Sequence, residues 1–465
     1  MLKHRLLLTI LQAVCLLGSA SLLAQDKFVL VTSPSKVSDV CGKHGLTQVS
    51  QVSSSSSAGV YLVSTFSVDP TIATDSSVTS FEPNRALGVP ELSGATIASL
   101  TQSTAGILET LPGRTVVSYF GASVPSNYVQ QTAAAIVRLS DAQGSKLSGT
   151  GIVVAIIDTG VDPSHPLLSP VLVPGFDFTR NLSGSASELL DLDPTVAASL
   201  TQSTAGILEG QNLVQLNAST VAILTQSTAG ILEGIVPKAF GHGTMTAGLV
   251  HLVAPGAKIM PLKAFSADGN SDLFNIIRAI YYAADHGANV ISMSFEITQS
   301  SPALQNAIQY ALSKNVAIVA ASGNDGQQIL VYPAAYGNVI GVGSTSNQDA
   351  KSVFTNFATN AIYVAAPGEG VITSYPGGNY AAGWGTSFSA PLVAGEAAML
   401  LQAKPTMHPG DVANAVSHAQ AVQQMGHGRI DLCQALIGLN LGPCPASSTT
   451  TSSTSGSTSG GSTAP

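Results

Sequence analysis

Four residues far apart in the chain have the types that acyl transfer at a carbonyl requires: Asp158, His242, Asn324 and Ser387. A serine hydroxyl is a poor nucleophile until a base takes its proton. An imidazole can take that proton and later return it to the leaving amine, and a carboxylate beside it fixes the tautomer and stabilises the charged ring. An asparagine amide, alongside a backbone N–H, can donate to the oxyanion of the tetrahedral intermediate. Each of the four lies where local structure would fix it. VVAIIDTGVD puts Asp158 at the end of a hydrophobic strand, and FGHGTMTAG puts His242 at the start of a small-residue helix. AASGND puts Asn324 after another strand, and GWGTSFSAP puts Ser387 in a turn that opens a helix through PLVAGEAAMLLQ.

Taken singly, these residues also have ordinary readings. A Gly-Thr-Ser turn before a helix is usually a cap or tight connection. A glycine-flanked histidine can be a packing residue. Asp-Thr-Gly after a strand fits an aspartic protease loop, but that chemistry needs two carboxylates sharing a proton, and no second Asp-Thr-Gly or Asp-Ser-Gly occurs. A G-x-S-x-G elbow fails because Ser389 stands where its last glycine belongs.

Taken together, IIDTGVD, GHGTMTAG, ISMSFE, AASGND, AAPG and GTSFSAP resemble the successive signature segments of the subtilisin family of serine peptidases, in that family's order. The resemblance runs over roughly residues 126 to 440, and several motifs in the right order carry far more than one alone. It implies a serine endopeptidase that needs no cofactor, with Asp158 as orienter, His242 as general base and acid, Ser387 as nucleophile and Asn324 as oxyanion donor. It further implies that ISMSFE and AASG border a specificity pocket and bind extended peptide by strand addition. Ser294, Phe295, Ser322 and Gly323 are then candidate lining residues, with Val331 of VYPAAYG as a pocket floor favouring an apolar side chain; Met293 reads as core. Glu296 stands where the family has glycine, which would narrow the cleft or favour basic groups. The calcium loop that many subtilisins carry between the histidine helix and the next VAP segment is missing from GHGTMTAGLVHLVAPGA, so no metal is expected there. Asp162 and His165 read as turn residues rather than as a metal cluster with Asp158.

Composition narrows the class. Only 9% of the 465 residues are charged against 45% hydrophobic, so hydroxyl and amide groups must cover much of the surface. The formal charge is −8, and no basic stripe invites nucleic acid. MLKHRLLLTILQAVCLLGSASLLAQ has the basic opening, apolar centre and small residues of a secretory signal peptide over residues 1–24. Its loss removes Lys3 and Arg5 and takes the charge to −10. The apolar centre is short for a membrane span, so a secreted monomer without an anchor, extracellular or periplasmic, is expected. In such a compartment Cys433 and Cys444 could pair, closing a short loop worth about 3 kcal/mol.

The elements that would position the four residues follow an α/β pattern. GIVVAIID, AKIMPLKAF, ANVISMSF, VAIVAASG, VIGVGST and AIYVAAPG are apolar runs without polar alternation, as expected of strands buried on both faces. Helical segments such as DLFNIIRAIYYAADHG and SPALQNAIQYALSKN lie between them, predicting a mostly parallel sheet with right-handed crossovers. Sites in such sheets form outside the carboxyl ends of the strands. The fold expected is therefore α/β, a subtilisin-like three-layer arrangement around a mostly parallel sheet over residues 126–445. KFVLVT, SKVSDVCGKHGL, VYLVSTF and SVTSFEPN predict a small α+β unit within residues 25–125, resembling a subtilisin propeptide that would act as an intramolecular inhibitor of an enzyme acting on polypeptides. The decapeptide LTQSTAGILE occurs identically at 100–109, 200–209 and 224–233. Its apolar spacing predicts short amphipathic helices, and residues 181–234 read as a surface insertion. Residues 446–465 are a Ser/Thr/Gly-rich tail with no core-forming residues.

Overall fold

The computed structural model describes residues 25–52, 59–90, 92, 115–184, 186–202, 211–217, 220–225 and 236–441. The signal-like segment, the first decapeptide copy, Cys444 and the tail lie outside the described residues.

The six apolar runs form six parallel strands: β1 (Val153–Asp158), β2 (Lys258–Lys263), β3 (Val290–Met293), β4 (Ala317–Ala321), β5 (Ile340–Thr345) and β6 (Val364–Pro367). They lie side by side in the order β2-β1-β3-β4-β5-β6, with short strands at both edges. Parallel register aligns their carboxyl ends: Lys263 pairs with Asp158, and Met293 with Ile157 and Ala320.

Both faces of this sheet are covered, which explains why the strands lack alternation. On one face lie α1 (His242–Val253) and α4 (Thr386–Ala403), both buried along nearly their whole length. They cross closely because Gly395 of α4 sits against Val253 of α1, where a Cβ would come within 2.6 Å of the valine's own. On the other face lie α2 (Leu273–Asp285) and α3 (Pro302–Ser313), amphipathic helices capped by Asp272 and Ser301.

The N-terminal unit is an antiparallel four-stranded sheet, Asp26–Thr32 and Val60–Thr65 at its centre with Thr47–Gln51 and Val78–Pro83 outside. Its strands face two ways. Phe28, Leu30, Tyr61 and Val63 pack with Val40 of its own helix, Val37–His44, whereas Val29, Val31, Val60 and Leu62 join the core that contains α2 and α3. The docking is polar as well. Glu82 accepts from the Ser301 hydroxyl (3.0 Å) and the Ala303 N–H (2.9 Å) at the start of α3, and Asn84 Oδ1 accepts from Phe274 N–H (2.9 Å) at the start of α2. A carboxylate at a helix N-terminus satisfies donors that the helix cannot.

Two observations bear on the expected boundaries. The hairpin Val116–Tyr119/Ala122–Pro125, which lies before residue 126, packs through Tyr119 and Val124 into the core around α1. The stretch read as a surface insertion is partly interior. Glu188 and Leu200 are fully buried, and strand Thr220–Thr225 pairs with Asn379–Gly383, directly before the serine turn. Of the decapeptides, the second opens at the end of helix Pro194–Gln202 and the third opens in that strand rather than in a helix; their remaining residues lie outside the described ones.

Cys433 is disulfide-bonded, and Cys41 is the free cysteine among the described residues.

Candidate active site

Asp158 closes β1, and its carboxylate is built into the turn that follows. Oδ1 accepts the Thr159 N–H (2.7 Å) and lies 2.7 Å from His242 Nδ1, while Oδ2 accepts the Thr246 hydroxyl at 3.2 Å. An ionised carboxylate can only accept, so Nδ1 carries the hydrogen and Nε2 is left as the ring's free acceptor. Nε2 is buried and has no hydrogen-bond partner among the described residues.

His242 opens α1 after Gly241, whose φ of +90° and contact with the Tyr375 ring leave no room for a side chain. Gly243 is equally constrained, since a Cβ there would lie 2.0 Å from the Gly160 carbonyl oxygen. These glycines let the helix start touch the strand end.

Ser387 stands in the first turn of α4, and Pro391 lies four residues on. Proline has no N–H, so the Ser387 carbonyl loses its helical donor. The Ser294 hydroxyl, at the end of β3, supplies the missing bond at 3.0 Å. In return the Ser387 hydroxyl points toward the Ser294 carbonyl at 3.4 Å. Phe388 packs beside the imidazole, ring centroids 5.6 Å apart, which brings the start of α4 to His242.

Asn324 follows β4. Its Oδ1 accepts from the Thr386 N–H (2.9 Å) and hydroxyl (3.0 Å), which turns Nδ2 outward. That amide reaches the carbonyl oxygen of Pro90, from the N-terminal segment, at 3.5 Å. The preceding residues lie along the cleft as an extra strand. Ala86–Gly88 pairs antiparallel with Asn270–Asp272, Val89 N–H donates to Gly269 O (2.9 Å), and Gly88 bridges to Glu296.

The remaining candidates are spread between cleft and core. Gly323 lies in the cleft wall with its N–H on the Thr386 hydroxyl and its Cα against the Glu296 carboxyl. Burial, then the nearby Asp325 charge, pushes the Glu296 carboxyl up to about 7. Ser322 turns inward toward Thr355 and the Asn356 carbonyl. Phe295 and Val331 are fully buried in the core with α2 and α3, Phe295 against Phe265. Asp162 and His165 are turn residues in the structure as well: Asp162 accepts from Ser164 and Gly377, and His165 Nε2 donates to the Asn379 carbonyl at 3.0 Å. Among the described residues no group of His, Cys, Asp and Glu could hold a metal ion.

Sequence reasoning missed the shell behind Asp158. Glu188, on the short helical turn Glu188–Asp191, accepts from Gly241 N–H (2.8 Å) and from the hydroxyls of Thr159 (3.1 Å) and Thr244. Lys263 is buried at the end of β2, where its ammonium donates to the Thr159 and Phe265 carbonyls and to Asp191, at 2.7–2.8 Å. A lysine inside an otherwise apolar strand was a signal; Glu188 gave none.

A model of the Subtilase family matches residues 149–434, and the chain belongs to this family of serine endopeptidases. It is 34% identical over 251 residues to the thermophilic serine proteinase of Bacillus sp. (strain AK1), a match covering 54% of this chain and 52% of the relative. It is 34% identical over 262 residues to thermitase of Thermoactinomyces vulgaris, covering 54% of this chain and 75% of that one. The match thus spans about half the length of the first relative and three quarters of the second. Among solved structures, fervidolysin from Fervidobacterium pennivorans, a keratinolytic enzyme related to subtilisin, superposes with a TM-score of 0.62 at 20% identity, over 91% of this chain and 62% of that one. At that identity the likeness speaks for the fold.

Proposed function

We propose that this protein is a secreted endopeptidase that cleaves polypeptides through a Ser387 acyl-enzyme. The observation that carries the reading is the polarised imidazole: Nδ1 fixed on Asp158 and Nε2 buried without a partner, beside the helix start that bears Ser387. Rotation of the serine side chain away from Ser294 hands its proton to Nε2 as Oγ bonds to the substrate carbonyl carbon. The resulting oxyanion accepts from Asn324 Nδ2 and the Ser387 N–H. Collapse breaks the C–N bond, the amine leaves with the proton from Nε2, and water hydrolyses the ester with His242 again as base. No organic cofactor enters these steps. Among the described residues no helix is long and apolar enough to cross a membrane; secretion rests on the signal-like residues 1–24.

The N-terminal unit fits a propeptide that holds the enzyme latent. Residues 86–90 lie along the cleft as a substrate strand would, and the Pro90 carbonyl, 3.5 Å from the Asn324 amide, supports a processing site next to Pro90. Ser387→Ala should abolish casein cleavage and fluorophosphonate labelling, a loss on the scale of the millionfold measured for a subtilisin, and should leave the chain unprocessed on N-terminal sequencing. Equal labelling of the variant refutes the nucleophile assignment.

A further inference from the structure

The turn Glu188–Asp191 sends two carboxylates inward, Glu188 to the Thr159 hydroxyl and Asp191 to Lys263, whose ammonium in turn holds the Thr159 carbonyl. Glu188 is fully buried and has a donor on each oxygen: Gly241 N–H and the Thr159 hydroxyl on Oε2, the Thr244 hydroxyl on Oε1. These donors are not arbitrary neighbours. Thr159 follows Asp158, Gly241 precedes His242, and Thr244 is in the first turn of α1.

Both hydroxyls already accept a backbone N–H, Thr159 from Gly243 (2.9 Å) and Thr244 from Asp162 (2.8 Å). Their own hydrogens are thereby directed at Glu188, and each links the carboxyl to the backbone of the opposite element. Thr159 is held at three points: its hydroxyl by Glu188, its carbonyl by Lys263, and its N–H on the Asp158 carboxylate. Asp191 neutralises that lysine from the same turn.

We propose that Glu188 is a positioning residue for the Asp158–His242 pair, clamping the end of β1 to the start of α1 so that the imidazole is presented to Ser387 in one orientation. The inference rests on the peptidase reading. It also gives the connection between Asp158 and His242 a role that a surface insertion would not have.

The charge state of the clamp varies near neutral pH. Burial pushes the Glu188 carboxyl up to about 7, opposed by the bonds from Thr244 and Gly241 and by Lys263, and reinforced by Asp158. The other groups facing it are His242 on α1, the buried Tyr375 phenol, and Asp191 with its partner Arg180. Above that range the carboxylate receives all three donors; below it, the added proton competes with one of them.

The test is Glu188→Gln, which keeps the shape and replaces the anion by an amide. Relative to wild type it should lower kcat about tenfold to a hundredfold with KM changed by less than about threefold and an unshifted thermal melt. The acid limb of kcat/KM should become a single-proton curve where wild type shows two. In a Ser387→Ala background the downfield Nδ1–H resonance of His242 should move or broaden when Glu188 is replaced, a readout that needs no activity. Thr244→Val, which removes one donor, should act in the same direction more weakly, and it serves if the glutamine variant does not fold. Unchanged kcat, unchanged acid limb and an unchanged imidazole resonance overturn the proposal. A wild-type chain inert toward casein and fluorophosphonate, but whose His242 resonance depends on Glu188, overturns the peptidase reading and leaves the clamp standing.

Discussion

The two halves of the site are held by different physics. The base half is wired: Asp158 collects a backbone N–H, the imidazole and a threonine hydroxyl, and behind it Glu188 and Lys263 grip Thr159, with Asp191 paired to the lysine. The nucleophile half is packed: α4 is buried from Thr386 to Leu401, and the Ser387 hydroxyl has one long contact, to Ser294. The difference follows from the side chains. An imidazole turns about two bonds and presents two unlike nitrogens, so its orientation must be set by hydrogen bonds. A serine hydroxyl is one bond from the Cβ, so placing the backbone places the nucleophile to within a rotamer.

The comparison can be broken in several ways. The largest effect is expected at Asn324, which accepts from Thr386 of the packed half and donates into the cleft. Asn324→Ala should lower kcat a hundredfold to a thousandfold, the size known from a subtilisin, a relative of this chain, in steady-state assays. Next come two glycines. Gly243→Ala puts a methyl against the Gly160 carbonyl, and Gly395→Ala puts one against Val253. Each should cost about 1–3 kcal/mol in denaturant melts. Only Gly243→Ala should also slow the folded molecules, counted by active-site titration, because only it pries β1 from α1. Equal slowing in both would erase the distinction.

The smallest effect on the rate concerns Glu396, inside α4, whose two carboxyl oxygens are buried with no hydrogen-bond partner among the described residues. Burial, and then Asp431, raises its pKa well above the ordinary 4.5, against the opposing charge of Arg429. The folded chain therefore keeps a proton that the unfolded chain loses above about pH 4.5. Stability falls as pH rises from there toward the folded value, by about 1.4 kcal/mol per unit. Glu396→Gln should flatten that slope in melts from pH 5 to 8. A slope unchanged by the substitution would mean that the packed half is polar after all.

Much of this arrangement was legible in the residues. The unalternating runs announced a parallel sheet covered on both faces, and the chemistry-bearing motifs stood at its carboxyl edge because strand ends are where loops converge. Glu188 was not legible, because it sits among apolar and acidic neighbours in a segment whose repeats drew the eye to duplication. What makes it matter is contact with Thr159, Gly241 and Thr244, which no local pattern encodes. Phe295 and Val331 were placed in a pocket by analogy with neighbouring motif positions, and the structure packs both into the core. The Pro391 effect could have been read in advance, since a proline four residues after a serine removes that serine's helical donor.

The strand Ala86–Gly88 is covalently part of the molecule whose cleft it fills. Its local concentration is set by connectivity rather than by the amount of protein. On the proposed propeptide reading, intact chain is therefore as closed in dilute solution as in concentrated, and a free peptide meets the same competition in both. Severing the backbone anywhere between Pro90 and the first hairpin changes the order of the reaction: the plug becomes a separate solute, and dilution alone can then empty the groove.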